Sequence, residues 1–128
     1  MEYILPNLII PGAQKSGTSS LFNYLREHPE CLMSIPKEPS FFSKKENLND
    51  LKKYSLIFQH FKEKPESKIY GEATTGYMVE KEVPKRIIDI LGSKIKLIFL
   101  IRNPVERTIS AYWHQYKRFF EFRNIKKV

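Results

Sequence analysis

The stretch PGAQKSGTSS, Pro11 to Ser20, places Gly12 and Gly17 at the G-x-x-x-x-G spacing of a Walker phosphate loop. The two positions that should then read Lys and Ser/Thr read Thr18 and Ser19, and the lysine sits inside the loop at Lys15. Glycines let an anion approach the backbone, and a helix N-terminus offers unpaired N–H groups at the positive end of its dipole. Gly17, Thr18 and Ser19 could supply those amides, with the hydroxyls as further donors. Lys15 could reach an anionic group beyond the first phosphate. The plainer alternative is a tight turn with a solvent lysine.

A second element carries complementary chemistry. An enzyme that hydrolyses a nucleoside triphosphate needs Mg²⁺, usually held by a loop hydroxyl and an acid ending a neighbouring strand. Here the strongest strand pattern, KLIFLIRN, ends in Arg102 and Asn103 instead. An arginine at that place binds a second phosphate directly. Ser110 lies about two turns into the following helix and could donate to the same group. The plain alternatives are a surface salt bridge for Arg102 and a backbone-bonded helix serine for Ser110. Together the residues suit two separated anionic groups without a metal. Glu38, in PKEPSFF, reads by itself as a solvent-exposed partner of Lys37. His28, His60 and His114 lack metal-ligand spacing and read as surface or helix-end residues.

These groups need a scaffold, and the pattern predicts one. NLIIPG is a short apolar run ended by Pro-Gly, a buried strand entering a turn. TSSLFNYLREHP follows as a helix with Leu21, Phe22 and Leu25 on one face, Thr18 or Ser19 as N-cap, and Pro29 as its stop. Residues 30–47 read as loop, with Phe41 and Phe42 as anchors in the core. Leu51, Tyr54, Phe58 and Phe61 fall at helical spacing, and KIYGEAT is a second, weaker strand. VPKRIIDILG gives a helix with Pro84 in its first turn and Gly92 at its end. The unalternating run from Leu97 to Ile101 predicts a strand covered on both faces. NPVERTISAYWHQYKRFF then forms a helix capped by Asn103, with Trp113 and Tyr116 packed on the sheet. Strands alternating with helices predict an α/β fold: a P-loop-like, three-layer α/β/α arrangement on a central parallel sheet of three strands. Ligands of such sheets bind at the carboxyl ends of strands, where both the Gly12–Thr18 loop and Arg102 would lie.

Composition bounds the rest. The 128 residues suit one domain, and no apolar run approaches the ~18 residues that span a bilayer. The N-terminus, with Glu2 and no basic flank, is a poor signal peptide and reads as the approach to the first strand. Cys31 stands alone, so no internal disulfide forms and a reducing, cytoplasmic compartment is expected. A net charge of +8 favours anionic partners without choosing among them.

Taken together, PGAQKSGTSSL resembles the 5′-phosphosulfate loop of sulfotransferases, and LIRNPVERTISAY resembles their 3′-phosphate element. The resemblance covers roughly residues 6 to 120 and is nearest the carbohydrate branch, related to heparan sulfate N- and 3-O-sulfotransferases and bacterial relatives. It implies 3′-phosphoadenosine 5′-phosphosulfate (PAPS) as sulfuryl donor, adenosine 3′,5′-bisphosphate as product, and a hydroxyl or amine acceptor, most naturally on a saccharide. It implies Gly12, Lys15, Ser16, Gly17, Thr18, Ser19, Ser20, Arg102 and Ser110 as the cofactor-binding set. Lys15 would also stabilise the departing phosphate, and Glu38 would be the general base. In GEATTGYM, Glu72 and Tyr77 match a strand-end pattern of the branch, but Ala73 replaces its lysine, so that branch's acceptor and sulfuryl contacts do not carry over there. Family members are considerably longer. The resemblance therefore implies that residues 1–128 are the PAPS-binding domain, with 120–128 as a disordered tail and loss of turnover a consequence to test.

Three other readings follow from the residues: a nucleotide-binding fragment without turnover, a phosphotransferase using ATP and Mg²⁺, and a small nucleic-acid-binding domain. Thr18 at the Walker lysine position and Arg102 at the strand end disfavour the second. Only the charge motivates the third, so neither nucleic acid nor a membrane span is expected.

Overall fold

The computed structural model describes residues 3–118, without the side chain of Phe61. Four strands, β1 (Leu8–Gly12), β2 (Cys31–Met33), β3 (Ile69–Ala73) and β4 (Lys96–Phe99), form one parallel sheet in the order β2-β3-β1-β4. The helices are α1 (Thr18–Glu27), α2 (Leu51–Ser55), α3 (Val83–Leu91) and α4 (Pro104–Lys117), with short 3-10 turns between them.

Alternation along β1 divides the core. Ile9 packs on one face with Phe41, Phe42, Tyr54, Tyr77, Val83 and Ile87. Ile10 packs on the other with Phe22, Met33 and Ala73. The crossover from β1 to β2 runs one way across the sheet, and those from β2 to β3 and β3 to β4 run the other way. Right-handed connections of opposite direction must lie on opposite faces, which separates α1 from α2 and α3 and makes three layers. The connections leaving the neighbouring strands β1 and β3 therefore run to opposite faces, and the carboxyl end of the sheet between them is the topological switch point where such sheets bind ligands.

Several expectations are corrected. Cys31–Met33 lies in the stretch read as loop, yet it forms a fully buried strand, so the sheet has four strands rather than three. At three residues it is too short to show periodicity. The 49–63 segment is a five-residue α-helix followed by a 3-10 stretch, Leu56–Glu63, that kinks at Phe58. Neither Thr18 nor Ser19 caps α1. Gly17 does, in a left-handed conformation (φ 91°) that glycine adopts without strain.

β4 is an edge strand rather than a strand covered on both faces, with Leu97 and Phe99 about half exposed and Ile101 beyond it 83% exposed. Trp113 and Tyr116 do not pack on the sheet. They stack around Tyr112 and are nearly half exposed, and α4 buries none of its residues. The expected tail lies outside the described residues. Among those described, no helix is long and apolar enough to cross a membrane.

Candidate active site

Two backbone hydrogen bonds continue the β1–β4 pairing past the sheet: Leu100 N–H to the Gly12 carbonyl (2.9 Å) and Ala13 N–H to the Leu100 carbonyl (2.8 Å). They lock together the two loops that hold the candidate anion-binding residues. Side chains reinforce the join, Arg107 Nε donating to the Gln14 carbonyl (3.1 Å) and Arg102 Nη1 to that of Lys15 (3.4 Å). Gly12 itself sits tight against Met78: a Cβ there would lie 2.9 Å from the Met78 Cβ at a φ of +153°.

Between the joined loops Lys15 also takes a left-handed conformation (φ 63°), an uncommon setting for a lysine that throws its side chain out of the turn. The first internal hydrogen bond of α1 runs from Leu21 N–H to the Gly17 carbonyl (3.1 Å). Its first turn carries no acid and receives no side-chain cap, so the N–H groups of Thr18, Ser19 and Ser20 have no acceptor within the helix. Asn103 caps α4 as expected, its Oδ1 accepting from Val105 N–H (3.0 Å) and Glu106 N–H (3.4 Å).

These parts meet in one cleft of about 440 Å³. Lys15, Gly17, Thr18, Ser19 and Ser20 line it from the first loop, Arg102 and Ser110 from the second, and Glu38 from the loop after β2. The structure thus brings together eight of the residues singled out in the sequence. Gly12 and Ser16 are not among the lining residues, although the Ser16 hydroxyl is buried without a hydrogen-bond partner. The donor set suits a ligand with two anionic groups: α1 amides without an acceptor in the helix and hydroxyls from the first loop, a guanidinium from the second. Among the described residues no cluster of three potential metal ligands occurs.

The cleft also contains Gln14, Thr75 and Arg118, which the sequence did not single out, and Lys37 and His114, to which it gave no part in the site. Ser110, His114 and Arg118 recur every four residues along α4 and its C-cap, a periodicity the sequence does carry. His114 is the helix-end residue expected, in the last turn of α4, and it also lines the cleft. Desolvation, then the charges of Lys15 and Arg118, hold its pKa below the ordinary value. Arg102 does form the plain ion pair, to Glu106 at 3.4 Å, while also facing the cleft.

Glu38 likewise pairs with Lys37 (3.2 Å), yet its Oε1 also accepts from the Thr75 hydroxyl (3.2 Å) at the carboxyl end of β3. It lies between the main cleft and a second cavity of about 310 Å³ lined in part by Arg107, Glu80 and Ser40. Beneath this loop Glu72 is completely buried. Tyr54 Oη donates a short hydrogen bond to its Oε1, Tyr77 Oη a second (3.2 Å), and the Thr74 hydroxyl one to Oε2 (2.8 Å). Burial raises the Glu72 carboxyl to about 7 against the pull of those three donors, and the same burial pushes both phenols up. Ala73 points away from this network into the α1 side of the core.

No protein-family model matches the chain. It is 36% identical over 108 residues to the membrane-associated sulfotransferase kil1 of Dictyostelium discoideum, covering 84% of this chain and 22% of that protein. Over 113 residues it is 35% identical to heparan sulfate glucosamine 3-O-sulfotransferase 3A1 of Mus musculus, covering 84% of this chain and 26% of that one. The crystal structure of a sulfotransferase from Alicyclobacillus acidocaldarius matches with a TM-score of 0.83 at 30% identity, covering 97% of this chain and 55% of the other. The chain spans about a quarter of the length of these curated relatives.

Proposed function

We propose, for a chain that is similar in both sequence and fold to sulfotransferases, that it binds PAPS and directs its sulfuryl group to a hydroxyl or amine on a saccharide. The observation that carries this reading is the meeting of Lys15, the α1 amides, Arg102 with Ser110, and Glu38 in one cleft. PAPS would supply a sulfuryl group on a phosphate leaving group. The N–H groups of Gly17, Thr18, Ser19 and Ser20 would hold the 5′-phosphate at the helix N-terminus. Arg102 and Ser110 would hold the 3′-phosphate.

Glu38 lines both the main cleft and the second cavity, a path by which an acceptor could reach it. It would take the acceptor proton as the acceptor oxygen or nitrogen bonds to sulfur. Lys15 would neutralise the charge left on the bridging oxygen as the sulfur–oxygen bond breaks. The lone buried Cys31 suits a reducing compartment such as the cytoplasm.

Calorimetric titration with adenosine 3′,5′-bisphosphate without magnesium, beside ATP with magnesium, tests the reading. Metal-independent preference for the bisphosphate is expected. Preference for ATP with a magnesium requirement overturns it. Bisphosphate binding without turnover would reduce the protein's role to nucleotide binding.

A further inference from the structure

The loop bearing Glu38 has little regular structure of its own to hold it. Ser40, two residues on, is left-handed (φ 51°), and only a three-residue 3-10 turn, Phe41–Ser43, follows. Its backbone amides nevertheless have specific partners. Ser40 N–H donates to the Thr74 hydroxyl (3.3 Å), and Phe42 N–H donates to Tyr77 Oη (3.1 Å).

Each of those hydroxyls has a single proton. An oxygen can receive an amide N–H only if its own proton points elsewhere. Both protons point to the same place: Thr74 donates to Glu72 Oε2 and Tyr77 to Glu72 Oε1. The ionised carboxylate, an acceptor on both oxygens, therefore fixes the direction of both hydroxyls, and each presents a lone pair to the loop. Tyr54, stacked on Phe41 at 3.9 Å, completes the set by donating to Oε1. The neighbouring Thr75 hydroxyl then meets Glu38 directly.

We propose that Glu72 is a positioning residue for sulfuryl transfer, acting through Thr74 and Tyr77 to hold the Ser40–Phe42 backbone and so set Glu38 at the cleft. The proposal rests on the reading of Glu38 as general base. It explains why a carboxyl that touches neither cleft nor solvent is surrounded by three donors rather than replaced by an apolar residue, since an apolar side chain could not orient either hydroxyl.

The test uses Thr74→Val and Tyr77→Phe, which keep side-chain shape while removing the relay, with Thr74→Ser as the conservative rescue and Glu38→Gln in parallel. Turnover of PAPS is measured at pH 8 with a heparan sulfate oligosaccharide as acceptor probe, together with amide hydrogen exchange at Ser40 and Phe42. Misplacing a reacting group by an ångström costs up to about a hundredfold, so Thr74→Val and Tyr77→Phe should each lower kcat about tenfold or more. KM for PAPS should stay within about twofold, Thr74→Ser should recover most of the rate, and exchange should accelerate at Ser40 in the first variant and Phe42 in the second.

Wild-type kcat in both relay variants, with Glu38→Gln inactive, overturns the positioning role and leaves the base intact. Full activity in Glu38→Gln overturns the base and the proposal with it. A parallel rise in KM and fall in kcat marks a merely structural role and also overturns it. Where the wild-type chain shows no turnover, amide exchange decides: protection unchanged by either relay variant refutes the proposal, and selective loss sustains it.

Discussion

Replacing Arg102 with alanine gives the sharpest test of the two-anion cleft. The Arg102 side chain is 43% exposed and already engaged by Glu106 at 3.4 Å, an i,i+4 pair whose acidic side chain is 63% exposed. A charged hydrogen bond to a phosphate is worth about 1.5–3 kcal/mol. The exposed helix pair it must share with is worth only about 0.3–0.5 kcal/mol. The net loss for Arg102→Ala is then about 1–2.5 kcal/mol, or roughly 5- to 60-fold in Kd for adenosine 3′,5′-bisphosphate. Removing the competitor should act in the opposite sense, Glu106→Gln tightening binding about twofold. Arg102→Lys should fall between, because an ammonium keeps the charge but not the planar fork. Isothermal titration with adenosine 5′-monophosphate supplies the control: lacking a 3′-phosphate, it should be indifferent to Arg102→Ala. Equal loss for both nucleotides would mean that Arg102 acts through the Lys15 carbonyl it also reaches, as a brace of the loop. The assignment of the 3′-phosphate to Arg102 would then fail.

Three further outcomes follow from the same structure. Glu38→Gln should leave bisphosphate binding within about twofold while abolishing turnover, since the carboxylate's charge is already met by Lys37 and its proposed role is to take the acceptor proton; a binding and rate assay on one preparation checks both. Glu72 is raised from 4.5 to about 7 on folding, so the folded state holds its proton more tightly than the unfolded chain. Its contribution to stability is full below about pH 4.5 and is lost as pH rises toward 7, a change of order 3 kcal/mol. Subtracting the urea-unfolding profile of Glu72→Gln from that of wild type should isolate this fall, and a flat difference would refute it. Phe99 lies half exposed on β4, an edge strand among the described residues, so any concentration-dependent association in sedimentation velocity should be weaker in Phe99→Lys, with nucleotide affinity unaltered.

The sequence by itself determined the parts that are local. Gly12 and Gly17 at loop spacing, Asn103-Pro104 at a helix start and the apolar runs of β1 and β4 each follow from conformational rules acting over a few residues. The parallel α/β class followed from their alternation, and with it the convergence of the two loops at strand ends. That Lys15, Arg102 and Ser110 would share one cleft was therefore legible in the sequence. Position in the sheet was not legible. A continuous apolar run reads the same at the centre and at the edge, so the exposed faces of β4 appear only once the order β2-β3-β1-β4 is known. The three residues of β2 are too few to signal themselves and are recruited by the pairing of Cys31, Leu32 and Met33 with β3.

The acid chemistry shows the same division. From the chain alone Glu38 is one carboxylate beside a lysine, and Glu72 is one acid in a weak strand. Only tertiary packing puts the first against Thr75 at the cleft and buries the second beneath it, adding the Tyr54 hydroxyl from α2 to the local donors Thr74 and Tyr77. The upward pKa shift of Glu72 comes from desolvation, a quantity fixed by the packed fold and by nothing shorter.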